Sequence, residues 1–94
     1  MGRARADRPQ RLAEKLRTVR LRLEWTQEKM YEELKAAGAN LHPGYVSLYE
    51  SDERAPSLLV LLAYSRVSKI SMEIFADDKL DLPDETEAGK RSSI

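Results

Sequence analysis

Cysteine is absent from the 94 residues, which excludes disulfides, thiolate zinc sites and thiol nucleophiles and fits a reducing compartment. Histidine occurs once, at His42. A lone imidazole cannot build a metal site without further soft ligands, and no serine or acid stands at a spacing that would complete a catalytic triad with it. Long apolar runs are missing as well. The longest, residues 58–64, is far short of the roughly 20 residues that span a bilayer, and no signal-peptide pattern is visible. A chain of this length forms one small domain that buries on the order of 60% of its unfolded surface, too little for a large catalytic cleft. These absences lead us to expect an intracellular, soluble protein that is no enzyme, carries no cofactor or metal, and does not enter a membrane.

Net charge is missing too, since 16 basic residues balance 16 acidic ones. The balance hides a segregation. Residues 1–22 carry Arg3, Arg5, Arg8, Arg11, Lys15, Arg17, Arg20 and Arg22 against Asp7 and Glu14, whereas residues 73–88 carry Glu73, Asp77, Asp78, Asp81, Asp84, Glu85 and Glu87 against Lys79. A local basic patch attracts phosphate even on a neutral chain. The alternative is that the two ends solvate the domain or pair with each other, and the sequence leaves both open.

What the chain does have is helical punctuation. Leu12, Leu16, Val19 and Leu23 recur at spacings of four, three and four after Pro9, an apolar stripe on a first helix starting near that proline. Trp25 closes it and is expected to staple the entry to the next helix rather than stack on a base. Thr26 is a good N-cap, Glu28 puts negative charge in the first turn, and Met30, Tyr31 and Leu34 gather on one stripe. Gly38 supplies a left-handed stop, with Asn40 behind it. Pro43 suits a first helical position, so a further short helix is expected over residues 43–51. On it Val46, Tyr49 and Glu50 share one side, Gly44, Ser47, Leu48 and Ser51 the other, and Tyr45 lies at the flank. Ser57 then caps a helix containing Leu58, Leu59, Val60, Leu61, Leu62 and Tyr64, too apolar all round for a lone surface helix. Its surplus face either meets a partner or is enclosed in a monomer. Ser71 opens a last helix over residues 72–76 with Ile74 and Phe75 as core candidates, and Leu80 and Leu82 alternate with acids beyond it.

Two short helices separated by a break too brief for a linker make a helix-turn-helix, whose second helix is offered to a groove of DNA. The blocks Leu16-Arg17-Thr18-Val19-Arg20, Trp25-Thr26-Gln27-Glu28-Lys29-Met30, Val46-Ser47-Leu48-Tyr49-Glu50 and Pro56-Ser57-Leu58-Leu59-Val60-Leu61-Leu62 resemble, in that order, an Xre-type, lambda-repressor-like DNA-binding domain. The resemblance implies an all-α, compact five-helix domain over residues 9–76, and the composition of the two ends sets off a basic flexible arm at 1–8 and an acidic tail at 77–94, partly ordered at 77–83. It implies that Gln27 touches a phosphate and that Arg20 pairs with Glu50 behind the reading helix. It also implies a symmetric dimer on double-stranded DNA. The chain departs from the pattern in two places. The break at residues 36–42 is longer than the usual four or so, and Gly44 and Leu48 stand where hydrogen-bonding side chains are usual.

The expected interface follows. His42, Gly44, Tyr45, Ser47 and Leu48 face the major groove, with thymine methyls as natural contacts for so apolar a face. Gln27 and Arg54 meet phosphates, Arg54 because loops after a reading helix lie along the backbone. Arg3, Arg5 and Arg8 either reach the DNA from the arm or form a leader without a role. The leading expectation is a small cytoplasmic, nucleoid-associated transcriptional regulator. The alternative is an antitoxin-like or adaptor module on the same fold that holds another protein through its acidic tail or fourth helix.

Overall fold

Five helices form within residues 8–84, the part of the chain that this computed structural model describes. They are α1 (Leu12–Arg22), α2 (Gln27–Ala36), α3 (Tyr45–Glu50), α4 (Leu58–Ser68) and α5 (Met72–Ala76), and no strand occurs among the described residues. Leu12, Leu16 and Val19 of α1, Met30 and Leu34 of α2, Val46 and Tyr49 of α3, Val60, Leu61, Ala63 and Tyr64 of α4 and Phe75 of α5 fill a single core. The helical periodicity of the apolar residues is therefore what closes the bundle.

Local chemistry sets most boundaries. The Thr26 hydroxyl accepts from the Lys29 amide at 3.0 Å and the Ser57 hydroxyl from the Val60 amide at 3.2 Å, so each fills one of the unpaired donors of its helix end. Gly38 ends α2 at φ +101°, a conformation that suits a residue without a Cβ. After it the chain departs from the pattern expected for residues 43–51. Pro43 lies in a turn, closed by a bond from the Tyr45 amide to the His42 carbonyl at 3.0 Å, and α3 starts only at Tyr45. The connection, residues 37–44, is long but not loose, because Ala39 and Leu41 are both buried in the core. Their apolar anchoring positions α3 despite the extra length.

The first helix differs in a second way. Arg11 makes no side-chain cap, and Pro9 lies ahead of the helix rather than in its first turn. The cap comes from the other end of the chain: the Asp78 carboxylate accepts from the amides of Gln10 and Arg11, each at 2.9 Å. The segment after α5 then continues as a strap along α1. Arg11 donates to the Asp78 carbonyl at 2.8 Å and to the Asp81 carboxylate at 2.7 Å, and Arg22 donates to the Pro83 carbonyl. Lys15, almost wholly buried, donates to the carbonyls of Ile74 and Asp77 at 2.7 and 3.0 Å, and burial lowers its pKa. The two oppositely charged ends therefore meet, and Leu82 packs against the core. The acidic segment as far as Pro83 is thus laid on its own domain.

This strap has a pH signature. Bonds from the Arg11 and Gln10 amides hold the Asp78 carboxyl below the usual carboxylate range. A lowered folded pKa contributes stability that is present above the unfolded value of about 4 and is lost as pH falls through the folded one. We expect Asp78→Ala to abolish hydrogen-exchange protection of the Gln10 and Arg11 amides at neutral pH, and the native chain to lose it only in acid. Protection unchanged in Asp78→Ala would show that the carboxylate does not cap α1.

Candidate nucleic-acid interface

Six residues make α3, and alternate faces of it have opposite fates. Val46 and Tyr49 are buried, while Ser47 is exposed along with Gly44 and Ser51 at the two ends. Leu48 and Tyr45 are half-buried, and His42 is exposed in the turn ahead. The helix therefore displays one side outward and is held from behind by the other.

What holds it is a fork. Arg20 Nε donates to Glu50 Oε2 at 2.7 Å and Arg20 Nη2 to Glu50 Oε1 at 3.0 Å, with side-chain exposures of only 11% and 4%. The remaining arm of the guanidinium, Nη1, donates to the Trp25 carbonyl at 2.8 Å. One side chain thus ties the last residue of α3 to the junction between α1 and α2, and the Glu50 hydrogen bonds raise the Arg20 pKa further. Gln27, exposed at the start of α2, donates from Nε2 to Glu50 Oε1 at 3.1 Å. Its amide is consequently oriented by the same carboxylate, which takes one of the two N–H donors of Nε2.

Behind the fork runs a row of rings. His42 meets Tyr45 edge-on at 4.9 Å, Tyr45 meets Tyr49 at 6.1 Å, Tyr49 meets Tyr64 at 6.4 Å, and Tyr64 meets Phe75 at 6.4 Å. Edge-to-face pairs of this kind are worth about 0.5–1.5 kcal/mol each beyond area burial. The row connects the turn before α3 to the deepest part of the core.

Tyr64 is the weak member of that row. Its hydroxyl is buried without a hydrogen-bonding partner among the described residues, and burial, with the Glu50 charge adding to it, pushes its pKa well above the ordinary tyrosine range. Removing an unpaired buried hydroxyl should be neutral or stabilising, so Tyr64→Phe is expected to raise stability by about 1 kcal/mol. The sign of the pH effect follows from linkage. A raised folded pKa leaves stability intact below the unfolded value of about 10, and stability then falls by ~1.4 kcal/mol per pH unit as only the unfolded chain ionises. The advantage of Tyr64→Phe in urea melts should therefore widen above pH 10. A clear destabilisation at neutral pH would reveal a partner for the hydroxyl.

The remaining candidate residues distribute unevenly. Arg54, in the loop after α3, is exposed with its guanidinium carbon 4.0 Å from the centre of the Tyr45 ring. Arg8 lies 3.8 Å from Asp52 at the same end of α3, and Arg3 and Arg5 fall outside the described residues. Arg11, Lys15 and Arg22 face the strap and add nothing to this surface. Charge segregation in the sequence raised their pairing with the acidic end as one of two options, but only the packing decides it.

A family model described as helix-turn-helix matches residues 16–75. The chain belongs to that family, the Xre-type, lambda-repressor-like helix-turn-helix domains, and it is a DNA-binding domain. The match runs from Leu16, within α1, through Phe75 in α5, so the fork, the row of rings and α3 all lie inside it. No curated protein and no solved structure gives a significant match. Among the described residues of this helix-turn-helix protein, no helix is long and apolar enough to cross a membrane.

Proposed function

We propose that this helix-turn-helix protein is a small sequence-specific regulator of transcription, a repressor by occupancy, that lays α3 in the major groove of double-stranded DNA. The observation that carries the reading is the outward face of α3, with Ser47 exposed and Tyr45 and Leu48 half-buried beside it, on a helix clamped from behind by the Arg20–Glu50 fork. A reading helix whose orientation is set before it docks loses less freedom on binding. His42, Gly44, Tyr45, Ser47 and Leu48 then face base edges, and Gln27, whose amide is held by Glu50, meets a phosphate at the start of α2. The arm residues Arg3, Arg5 and Arg8 add backbone or minor-groove contacts. Such a role needs no catalysis and no cofactor, and it places the protein in the cytoplasm on the nucleoid.

The protein acts as a homodimer in this reading. Leu58 and Leu59 support it, since they are 72% and 67% exposed at the start of α4, whose Val60, Leu61, Ala63 and Tyr64 fill the core. Two adjacent exposed leucines are a natural contact for a second copy around a two-fold axis. The antitoxin-like or adaptor alternative would use the same leucines for a different protein.

The test is anisotropy on a random duplex pool at several salt concentrations, followed by selection of a preferred sequence. We expect affinity to fall steeply with ionic strength as counterions are released, and one sequence to emerge. Should no duplex bind more tightly than ~10⁻⁴ M at moderate salt, the regulator reading is wrong and the protein-holding one gains.

A further inference from the structure

We propose that Arg54 is a base-reading side chain that recognises the acceptor edge of guanine, with Tyr45 as the platform that aims it. The inference rests on the reading of α3 as a major-groove helix and changes the role of a residue expected, from its place in the chain, to sit on a phosphate.

The loop after α3 is the starting point. Asp52 adopts a left-handed φ of 66°, and the Leu48 carbonyl accepts from the amides of both Glu53 and Arg54, at 3.0 and 3.2 Å. The chain therefore reverses at once and turns back toward the helix it has just left. As a result the Arg54 guanidinium lies over Tyr45, the first residue of α3, rather than beyond the far end of that helix. The N-terminal residues of a recognition helix are the ones that meet base edges.

Orientation follows from the stack. At 4.0 Å from the ring centre the cation is held by the Tyr45 face, and the ring is itself braced edge-on by His42 and Tyr49. Among the described residues the guanidinium takes part in no salt bridge, so its in-plane N–H groups remain available. A planar fork with free donors matches the O6 and N7 acceptors of guanine in a bidentate fashion. On the rest of the face Ser47, Tyr45 and His42 offer single hydroxyl or imidazole groups, and Arg54 alone presents a two-donor fork.

Lysine separates the two roles, because it keeps the charge that a phosphate needs but replaces the planar two-donor fork with a single ammonium point charge. The preferred duplex is selected for the native protein, then every single-base variant of it is titrated with native protein, Arg54→Lys and Tyr45→Leu. We expect discrimination at one G·C position per half-site to fall about tenfold in Arg54→Lys, while discrimination at the other positions is retained. Tyr45→Leu should weaken discrimination at that same position, with a far-UV spectrum showing that the helices persist. An Arg54→Lys protein that selects the same sequence with undiminished discrimination overturns the inference and leaves the regulator reading standing. Failure of the native protein to bind any duplex overturns both.

Discussion

Arg20→Ala should cost roughly 3 kcal/mol and lower the melting temperature by about 15 °C, because it strands the Glu50 carboxylate behind α3 with its side chain 4% exposed. An exposed ion pair would be worth ~0–1 kcal/mol, so the magnitude itself distinguishes a buried clamp from a surface contact. Two controls separate charge from geometry. Arg20→Lys retains the cation but not the fork and should fall between native and alanine proteins. The double variant Arg20→Met with Glu50→Leu removes both charges and should recover much of the loss, since well-packed apolar residues often replace a buried pair without penalty. DNA affinity should fall along with stability in Arg20→Ala, as α3 loses the tie at its last residue. Loss of affinity with stability unchanged would contradict the clamp and make Arg20 a direct contact instead.

Tyr49→Ala should be comparably severe, about 3–4 kcal/mol by denaturant unfolding, because a ring 3% exposed leaves a cavity between Tyr45 and Tyr64. Tyr49→Phe keeps the ring and should stay within about 1 kcal/mol of native. The informative comparison is with Phe75→Ala, which empties a site of the same size at the other end of the row of rings, on α5. Both variants lose stability. Only Tyr49→Ala removes one of the two buried anchors of the six-residue α3, the other being Val46. Measured in the cold, where both variants remain folded, Tyr49→Ala should bind DNA about tenfold more weakly than Phe75→Ala, a difference of about 1.4 kcal/mol. Equal losses in the two would mean that α3 holds its place without Tyr49.

Much of this architecture is legible along the chain, and the reasons are local. Thr26 and Ser57 announce helix starts because their hydroxyls meet amides three residues on, and Gly38 announces a stop because of its positive φ. The start of α3 was less legible. Proline is as compatible with a turn as with a first helical residue, and what tips it into the turn is the burial of Ala39 and Leu41 just upstream. The direction of Arg54 was invisible for a related reason: position in a loop says nothing of where a long side chain points, and the Leu48 carbonyl that turns the loop back is a backbone group.

Taken alone, the order of residues decides which segments are helical, which side of each is apolar, and which ends of the molecule carry which charge, because all three are properties of near neighbours. Packing decides what the charges do. Only once α5 docks on α1 can Asp78 reach amides 67 and 68 positions away, and only then are Arg11, Lys15 and Arg22 drawn to the strap instead of to phosphate. Electrostatic partners are chosen by distance in space, which the chain acquires when its apolar stripes meet in one core.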